Sequence, residues 1–248
     1  MMKIISFKIC PFVQRVTALL EAKNLPYEME YIQLKNKPQW FLDLSPTGQV
    51  PLLVTESGEA LFESDAIVEY IEEVTVPLEA DVSPEQRAKD RAWSYQASKH
   101  YLVQCSTMRS GDEETLLERE ENLAKAFTKV EQELLKSASS RGHLAKGDFF
   151  KGEQLSNVDI AWLPLLHRAH IIKQHTGHDF FKTFPRVQKW QQAVMESGLA
   201  ERSVANDFEQ RFTDFYLSEK TYLGGSKLAS RTESSCTSDD ACASASCC

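Results

Sequence analysis

No stretch of the chain approaches the roughly 18 consecutive apolar residues that a membrane-spanning helix requires, so a membrane-embedded role is not expected. A basic excess is missing too. The sequence has 28 Lys and Arg against 36 Asp and Glu, a net charge of −8, which argues against general nucleic-acid binding, where clustered cations must meet phosphate. Cysteine is scarce in the body of the chain: of six, only Cys10 and Cys105 precede the last thirteen residues, where Cys236, Cys242, Cys247 and Cys248 crowd together. That is not the even spread of a disulfide framework, and it points to a reducing compartment. The opening Met1-Met2-Lys3-Ile4-Ile5-Ser6-Phe7 has too short an apolar run for a secretory leader and no small-residue cleavage site, so a cytoplasmic protein is expected. What is present suits a soluble globular protein: 42% hydrophobic and 26% charged residues over 248 positions, enough for one large domain or two ordinary ones.

The thiol with the most chemical context lies in Cys10-Pro11-Phe12-Val13-Gln14-Arg15. Lys3 to Ile9 before it is an apolar-rich segment of strand length. After it Val16, Leu19, Leu20 and Lys23 fall at helical spacing, and Asn24 closes the run. Cys10 therefore stands where a buried strand hands over to a helix. Pro11 suits the first helical position, where its missing N–H costs nothing. At the N-cap, Cys10 faces free backbone N–H groups and the positive end of the helix dipole. Both favour the thiolate, the nucleophilic form. Arg15, one turn on, either adds positive potential or points to solvent. A Cys-Pro pair alone reads more simply as a small buried hydrophobe ahead of a proline. The strand before, the helix after and the proline at the first turn favour a reactive cysteine.

Downstream, Tyr27 to Ile32 alternates like a strand, completing a parallel strand–helix–strand unit. Pro38 opens a short helix through Leu42, and Ser45 to Gln49 is a turn cluster. Val50 to Thr55 is a strand with Pro51 at its start, where a cis bond is one way for a proline to serve function. A turn at Glu56–Glu59 leads to a short strand, Ala60 to Phe62. A helix follows, with Ser64 as its N-cap and Ile67, Tyr70, Ile71 and Val74 on one face. After Thr75 the signal becomes wholly helical. A two-proline linker, Val76 to Pro84, precedes a helix through about Cys105, and a second helix carries Leu116, Leu123, Phe127, Val130 and Leu134. Ser137 to Gly147 reads as a loop. Ser156-Asn157-Val158-Asp159 is a capping box with Asp in place of Glu, opening a helix that is apolar almost all round and so belongs at the centre of a bundle. Further helices start near Phe184 and Ser203, the last running to about Leu217. From Gly224 onward there is little to bury, and disorder is expected. The resulting division is residues 1–77, an α/β module; 84–220, an all-α helical bundle; and 221–248, a disordered Ser/Cys-rich tail. His167, His170, His175 and His178 cluster in sequence, but no nearby cysteine or third-ligand geometry supports a metal site, and none is expected. Cys236, Cys242, Cys247 and Cys248 read as an oxidation-prone tail rather than a soft-metal site.

This order of strands and helices, with Cys-Pro at the first helix, Val-Pro before the third strand and an all-helical second part, resembles the cytosolic glutathione transferase superfamily. The likeness covers about residues 3 to 218. Cys10-Pro11-Phe12, followed by Lys35-Asn36-Lys37-Pro38-Gln39-Trp40-Phe41, is similar to the omega class. The resemblance implies a thioredoxin-like α/β N-terminal domain followed by an all-α domain, a homodimer, and glutathione as co-substrate without a metal. It implies that Cys10 forms a mixed disulfide with glutathione and that Phe12 is the aromatic beside it. Lys37 then meets the glycine carboxylate. Val50, through a cis bond to Pro51, pairs with the cysteinyl backbone, and Glu63 and Ser64 hold the γ-glutamyl end. The chemistry of the ligand agrees. Glutathione is a tripeptide charged at both ends, so its site needs a cation, an anion and backbone to pair with as an added strand, and a helix N-terminus accepts a carboxylate. Taken singly, Glu-Ser before a helix is most often only a cap and a lysine a solvated charge. Their convergence with Cys10 carries the reading.

Thioredoxins and glutaredoxins often carry a second cysteine three residues after the first. Here that place is Val13. A thiolate without a local resolving partner implies monothiol chemistry: a Cys10–glutathione mixed disulfide, released by a second glutathione, as in reduction of dehydroascorbate or of glutathionylated thiols. Two alternatives stay open: a conjugating transferase, and a non-enzymatic glutathione-binding or redox-regulatory protein on the same fold. Trp162, His100 and Tyr101 are candidates for the wall of a second-substrate pocket between the domains.

Overall fold

The computed structural model describes residues 1–140 and 147–225. Its N-terminal part runs β1 (Met2–Ser6), α1 (Pro11–Ala22), β2 (Tyr27–Tyr31), α2 (Gln39–Leu44), β3 (Leu52–Val54), β4 (Ala60–Phe62) and α3 (Ser64–Val74). The four strands form one mixed sheet in the order β2-β1-β3-β4. β1 and β2 are parallel, with Met2 opposite Tyr27 and Ser6 opposite Tyr31, as a strand–helix–strand crossover requires. β3 lies antiparallel to β1 with Ile5 opposite Leu52, and β4 antiparallel to β3 with Leu52 opposite Phe62. These registers bring the C-terminal ends of β1, β2 and β4 and the N-terminal end of β3 to one edge of the sheet. From that edge the chain leaves toward α1, α2 and α3 and enters β3, and open α/β sheets bind ligands beyond such strand ends.

The rest is helical: α4 (Pro84–Met108), α5 (Glu113–Ser140), α6 (Asn157–Thr176), α7 (Pro185–Glu196), α8 (Leu199–Arg202), α9 (Phe208–Tyr216) and α10 (Tyr222–Gly225). Local chemistry sets these starts. The Ser83 hydroxyl accepts from the Gln86 N–H at 3.2 Å, and Asp112 accepts from the Thr115 N–H at 2.8 Å. α6 ends at Gly177, whose φ of 76° and N–H to Lys173 carbonyl bond (2.9 Å) make a left-handed stop. α6 is the buried axis, with Val158 to Ala169 as well as Ile171 and Ile172 out of solvent. α1 is covered on both sides: its residues Val13 to Leu20 are all buried, polar Gln14, Arg15 and Thr17 included. It packs on α3 and also on α6 and α8, where Thr17 donates to the Ser203 carbonyl at 2.6 Å.

Several boundaries differ from the sequence reading. β3 is confined to Leu52–Val54, because Val50–Pro51 forms a cis bond outside the ladder. α4 continues to Met108 and α5 through Ser140, so the loop expected from Ser137 does not start there. The final long helix begins at Phe208 rather than Ser203, since Ser203 instead closes the four-residue α8. Tyr222–Gly225 forms one more helical turn inside the stretch assigned to the tail, with Gly224 packed so closely on Leu217 and Ser218 backbone that a Cβ has no room. The expected disorder of the remaining tail falls on residues 226–248, outside those described. Among the described residues, no helix is long and apolar enough to cross a membrane.

Candidate active site

Cys10 is the N-cap of α1, in extended conformation (φ −72°, ψ 124°), with Pro11 in the first turn. Its N–H donates to the Phe7 carbonyl (3.1 Å) and its carbonyl accepts from Gln14 N–H (3.2 Å), the first bond of the helix. Among the described residues, no disulfide joins Cys10 and Cys105. Cys10 is 3% exposed and borders a narrow crevice with Lys8, Tyr31 and Ser203. Phe12 packs edge-on against Tyr101, ring centroids 5.0 Å apart. Arg15 turns inward: at 3% exposure it donates to the Asp65 carboxylate, which also accepts from Ser98 at 3.2 Å. Asp65 lies in the first turn of α3, so this ion pair ties the N-terminal ends of α1 and α3 together.

The other expected residues fall around the same sheet edge. Val50 and Pro51, joined by a cis peptide bond, are buried just before β3. Pro51 and Glu63 lie just beyond Leu52 and Phe62, the last pair of the β3–β4 ladder. Ser64 is not the N-cap of α3. Glu63 takes that place with φ 67° and ψ 117°, and Ser64 is the first helical residue, 4% exposed. The chain turns from β4 into α3 through that unusual backbone. No side chain caps α3, which leaves its first N–H groups available to an anion. Lys37, on the connection into α2, is half-buried, and its ammonium forms no ion pair with any described residue. Nor do the side chains of Glu63 and Ser64 hydrogen-bond to any described residue.

The residues weighed for a substrate wall lie deeper than expected. Trp162 is fully buried, its indole N–H donating to the Trp93 carbonyl at 3.0 Å, and Tyr101 is fully buried with its hydroxyl on the Ala161 carbonyl. A chain of large aromatics around Trp162 claims that space for the core. His100 stays half-buried, with Nδ1 2.5 Å from the Gln96 carbonyl. The clustered histidines separate. His175 bonds Glu209 (2.7 Å) and His178 bonds Glu120 (3.1 Å), while His167 is buried on α6. Burial, with Arg168 beside it, pushes His167 down to about 3, and its Nδ1 accepts from Gln14 Nε2 at 2.9 Å. Among the described residues, no group of three His, Cys, Asp or Glu is placed to hold a metal ion.

The sequence reading passed over the polar cluster behind Cys10. Arg168, 1% exposed, donates to the Ile9 carbonyl (3.0 Å), to Gln14 Oε1 (2.5 Å) and to the Pro164 carbonyl (3.0 Å). Gln14 Nε2 in turn lies within reach of Ser203 Oγ (3.3 Å) and the Ala200 carbonyl (3.4 Å). The available signal was a lone arginine in an otherwise apolar helix.

Residues 9–74 match the family described as glutathione S-transferase, N-terminal domain, and residues 96–197 match glutathione S-transferase, C-terminal domain. Glutathione S-transferase omega-1 of Sus scrofa is 28% identical over 220 residues, covering 88% of this chain and 86% of that protein. Probable glutathione S-transferase DHAR1, cytosolic, of Oryza sativa subsp. japonica is 32% identical over 166 residues, 67% of this chain and 70% of the relative. Among solved structures, glutathione transferase Omega 3C from Trametes versicolor superposes with a TM-score of 0.67 at 26% identity, over 83% of this chain and 89% of that one. Two family domains in chain order on one matching fold, with relatives aligned over most of their own length, make this chain a member of the glutathione transferase superfamily, in its omega-like, cysteine-bearing branch.

Proposed function

We propose that the protein is a glutathione-dependent thiol transferase that works through a Cys10–glutathione mixed disulfide. The observation that carries this is the placement of a thiol at a helix N-terminus on the same sheet edge as three unpartnered groups: a cation (Lys37), an anion (Glu63) and a hydroxyl at an uncapped helix start (Ser64). That set is complementary to a tripeptide charged at both ends, with the backbone at Val50 free of the β3 ladder to pair as an added strand. The names of relatives add to it: omega-1 glutathione S-transferases and DHAR proteins stand among them. In this cycle Cys10 thiolate attacks the sulfur of a glutathionylated substrate, the S–S bond passes to Cys10, and the substrate thiolate leaves. Reduced glutathione then attacks the Cys10-bound sulfur, giving oxidised glutathione and restoring the thiolate, with its proton released to solvent. Val13 stands where a local resolving thiol would be, so the second glutathione performs that step.

The reading includes a two-domain division at residues 78–83, which hold neither helix nor strand, a cytoplasmic location, supported by the cytosolic rice relative, and a homodimer, supported by the exposed Tyr95 and Leu102 seven residues apart on α4. The test is intact mass after incubation with oxidised glutathione, using full-length protein with the four tail cysteines changed to serine. One added glutathione, absent in Cys10→Ala and removed by reduced glutathione, is the expected result. No adduct on Cys10 would overturn the reading. Cys10→Ser then separates the chemistries, since thiol transfer needs the sulfur while conjugation tolerates a hydroxyl.

A further inference from the structure

We propose that Arg168 is the positioning residue of the Cys10 thiol, gripping the chain on both sides of it and placing an uncompensated positive charge behind it. The guanidinium reaches the carbonyl of Ile9, one residue before Cys10, and the side chain of Gln14, four residues after it. Because the Gln14 N–H closes the first turn on the Cys10 carbonyl, both contacts bear on the backbone that aims the thiol. The remaining contacts are the Pro164 carbonyl and the face of Phe208, 5.4 Å from the guanidinium carbon. All are neutral, and Arg168 Nε has no partner among the described residues.

The other charged and titratable groups around the thiol are accounted for. Lys8, on the segment before Cys10, is paired with Asp207, the residue before α9, at 2.7 Å and lies over the Tyr31 ring of β2. Arg15 of α1 is paired with Asp65 of α3. Tyr101 of α4 gives its hydrogen to Ala161, and His167 of α6 is a neutral acceptor of Gln14. Of the three cations here, Lys8, Arg15 and Arg168, Arg168 alone has no carboxylate partner among the described residues. A charge fully removed from water costs solvation free energy that neutral oxygens offset only in part. A neutral side chain would fill the same space without that cost. The counter-charge that makes sense of the site is the Cys10 thiolate itself, so Arg168 both fixes the loop and favours ionisation.

This inference rests on Cys10 being the nucleophile, but its test needs neither glutathione nor a second substrate. The rate of Cys10 alkylation by iodoacetamide is followed against pH in the full chain, by mass spectrometry of the Cys10 peptide, with folding checked by circular dichroism. R168Q, which loses the charge, is expected to move the midpoint up by about one pH unit and slow alkylation about tenfold at pH values below the wild-type midpoint. R168K, which keeps the charge but not the fork, is expected to hold the midpoint while lowering the plateau rate. A merely structural role predicts a lower melting temperature with the midpoint unmoved in R168Q, and that result overturns the proposal. Should R168Q fail to fold, R168K decides alone: a midpoint shifted by a full unit in spite of the retained charge overturns it. A chain that takes no glutathione on Cys10 yet shows the R168Q shift defeats the thiol-transferase reading and keeps this one.

Discussion

Glu63 carries a positive φ of 67° outside glycine, a conformation that costs on the order of 1–3 kcal/mol and persists where surroundings enforce it. Its carboxylate has no partner among the described residues, and the residue lies between the last strand and an uncapped helix start. Replacing it with glycine should therefore stabilise the fold by roughly 1 kcal/mol while weakening glutathione binding, a pairing of opposite signs that calorimetry and thermal melts read directly. In the proposed site Lys37 meets the glycine carboxylate of glutathione; Lys37→Ala would then remove one charge-assisted hydrogen bond, about 1.5–3 kcal/mol, and the KM for glutathione should rise about tenfold or more with kcat little changed. At this scale the sequence showed the positions of Cys10 and Pro11 at the start of α1 well, because they depend on neighbours in the chain. It did not show where Arg15 and Arg168 go. Arg15 meets Asp65 fifty residues away, and Arg168 reaches back 159 residues to Ile9. The backbone turn at Glu63 was equally hidden, since no composition marks a positive φ in a glutamate.

α6 shows how much one side chain can organise. Asp159 accepts four hydrogen bonds: from the Ser156 N–H (2.8 Å) and hydroxyl (2.6 Å), the Phe150 N–H (2.8 Å) and the Trp190 indole (2.6 Å). Burial pushes its carboxyl pKa up, and these donors pull it back. Asp159→Ala leaves several buried donors unmatched, so a loss on the order of 3–5 kcal/mol in urea unfolding is expected, with Asp159→Asn recovering part of it. The same helix carries a pH dependence. His167 titrates near 3 in the folded chain against 6.5 unfolded, so between those values the unfolded state binds the extra proton. Its contribution to stability is complete above about pH 6.5 and falls on acidification by up to about 1.4 kcal/mol per pH unit. Urea midpoints measured from pH 7 to pH 5 should fall less steeply in His167→Gln. The capping box was legible because its four residues are contiguous. α8 and α10 were not, because a single turn of four residues has no periodicity to read and is held by distant backbone, as in the Tyr222 N–H to Ser110 carbonyl bond at 2.8 Å.

Over the whole molecule, the order of a mixed α/β part and a helical part followed from the change of period after Thr75. The dependence of one part on the other did not. α1 is buried on both faces, one by its own module and one by α6 and α8, where Gln14 meets His167 and Ser203 and Thr17 meets Ser203, partners that residues 1–77 do not contain. A fragment of residues 1–77 is therefore expected to lack a cooperative melt, while the full chain unfolds in one transition by circular dichroism and tryptophan fluorescence alike. A fragment melting as sharply as the whole would show that the interface contributes little.

Val13 has its side chain in the core, 4% exposed, at the position where related redox folds keep their second sulfur. In the proposed cycle the oxidised protein then has no second sulfur in the first turn of α1 with which to store its state as an internal bond. The lifetime of the adduct is set by encounters with reduced glutathione, so the fraction of chains carrying it at any moment is a running measure of the surrounding thiol supply.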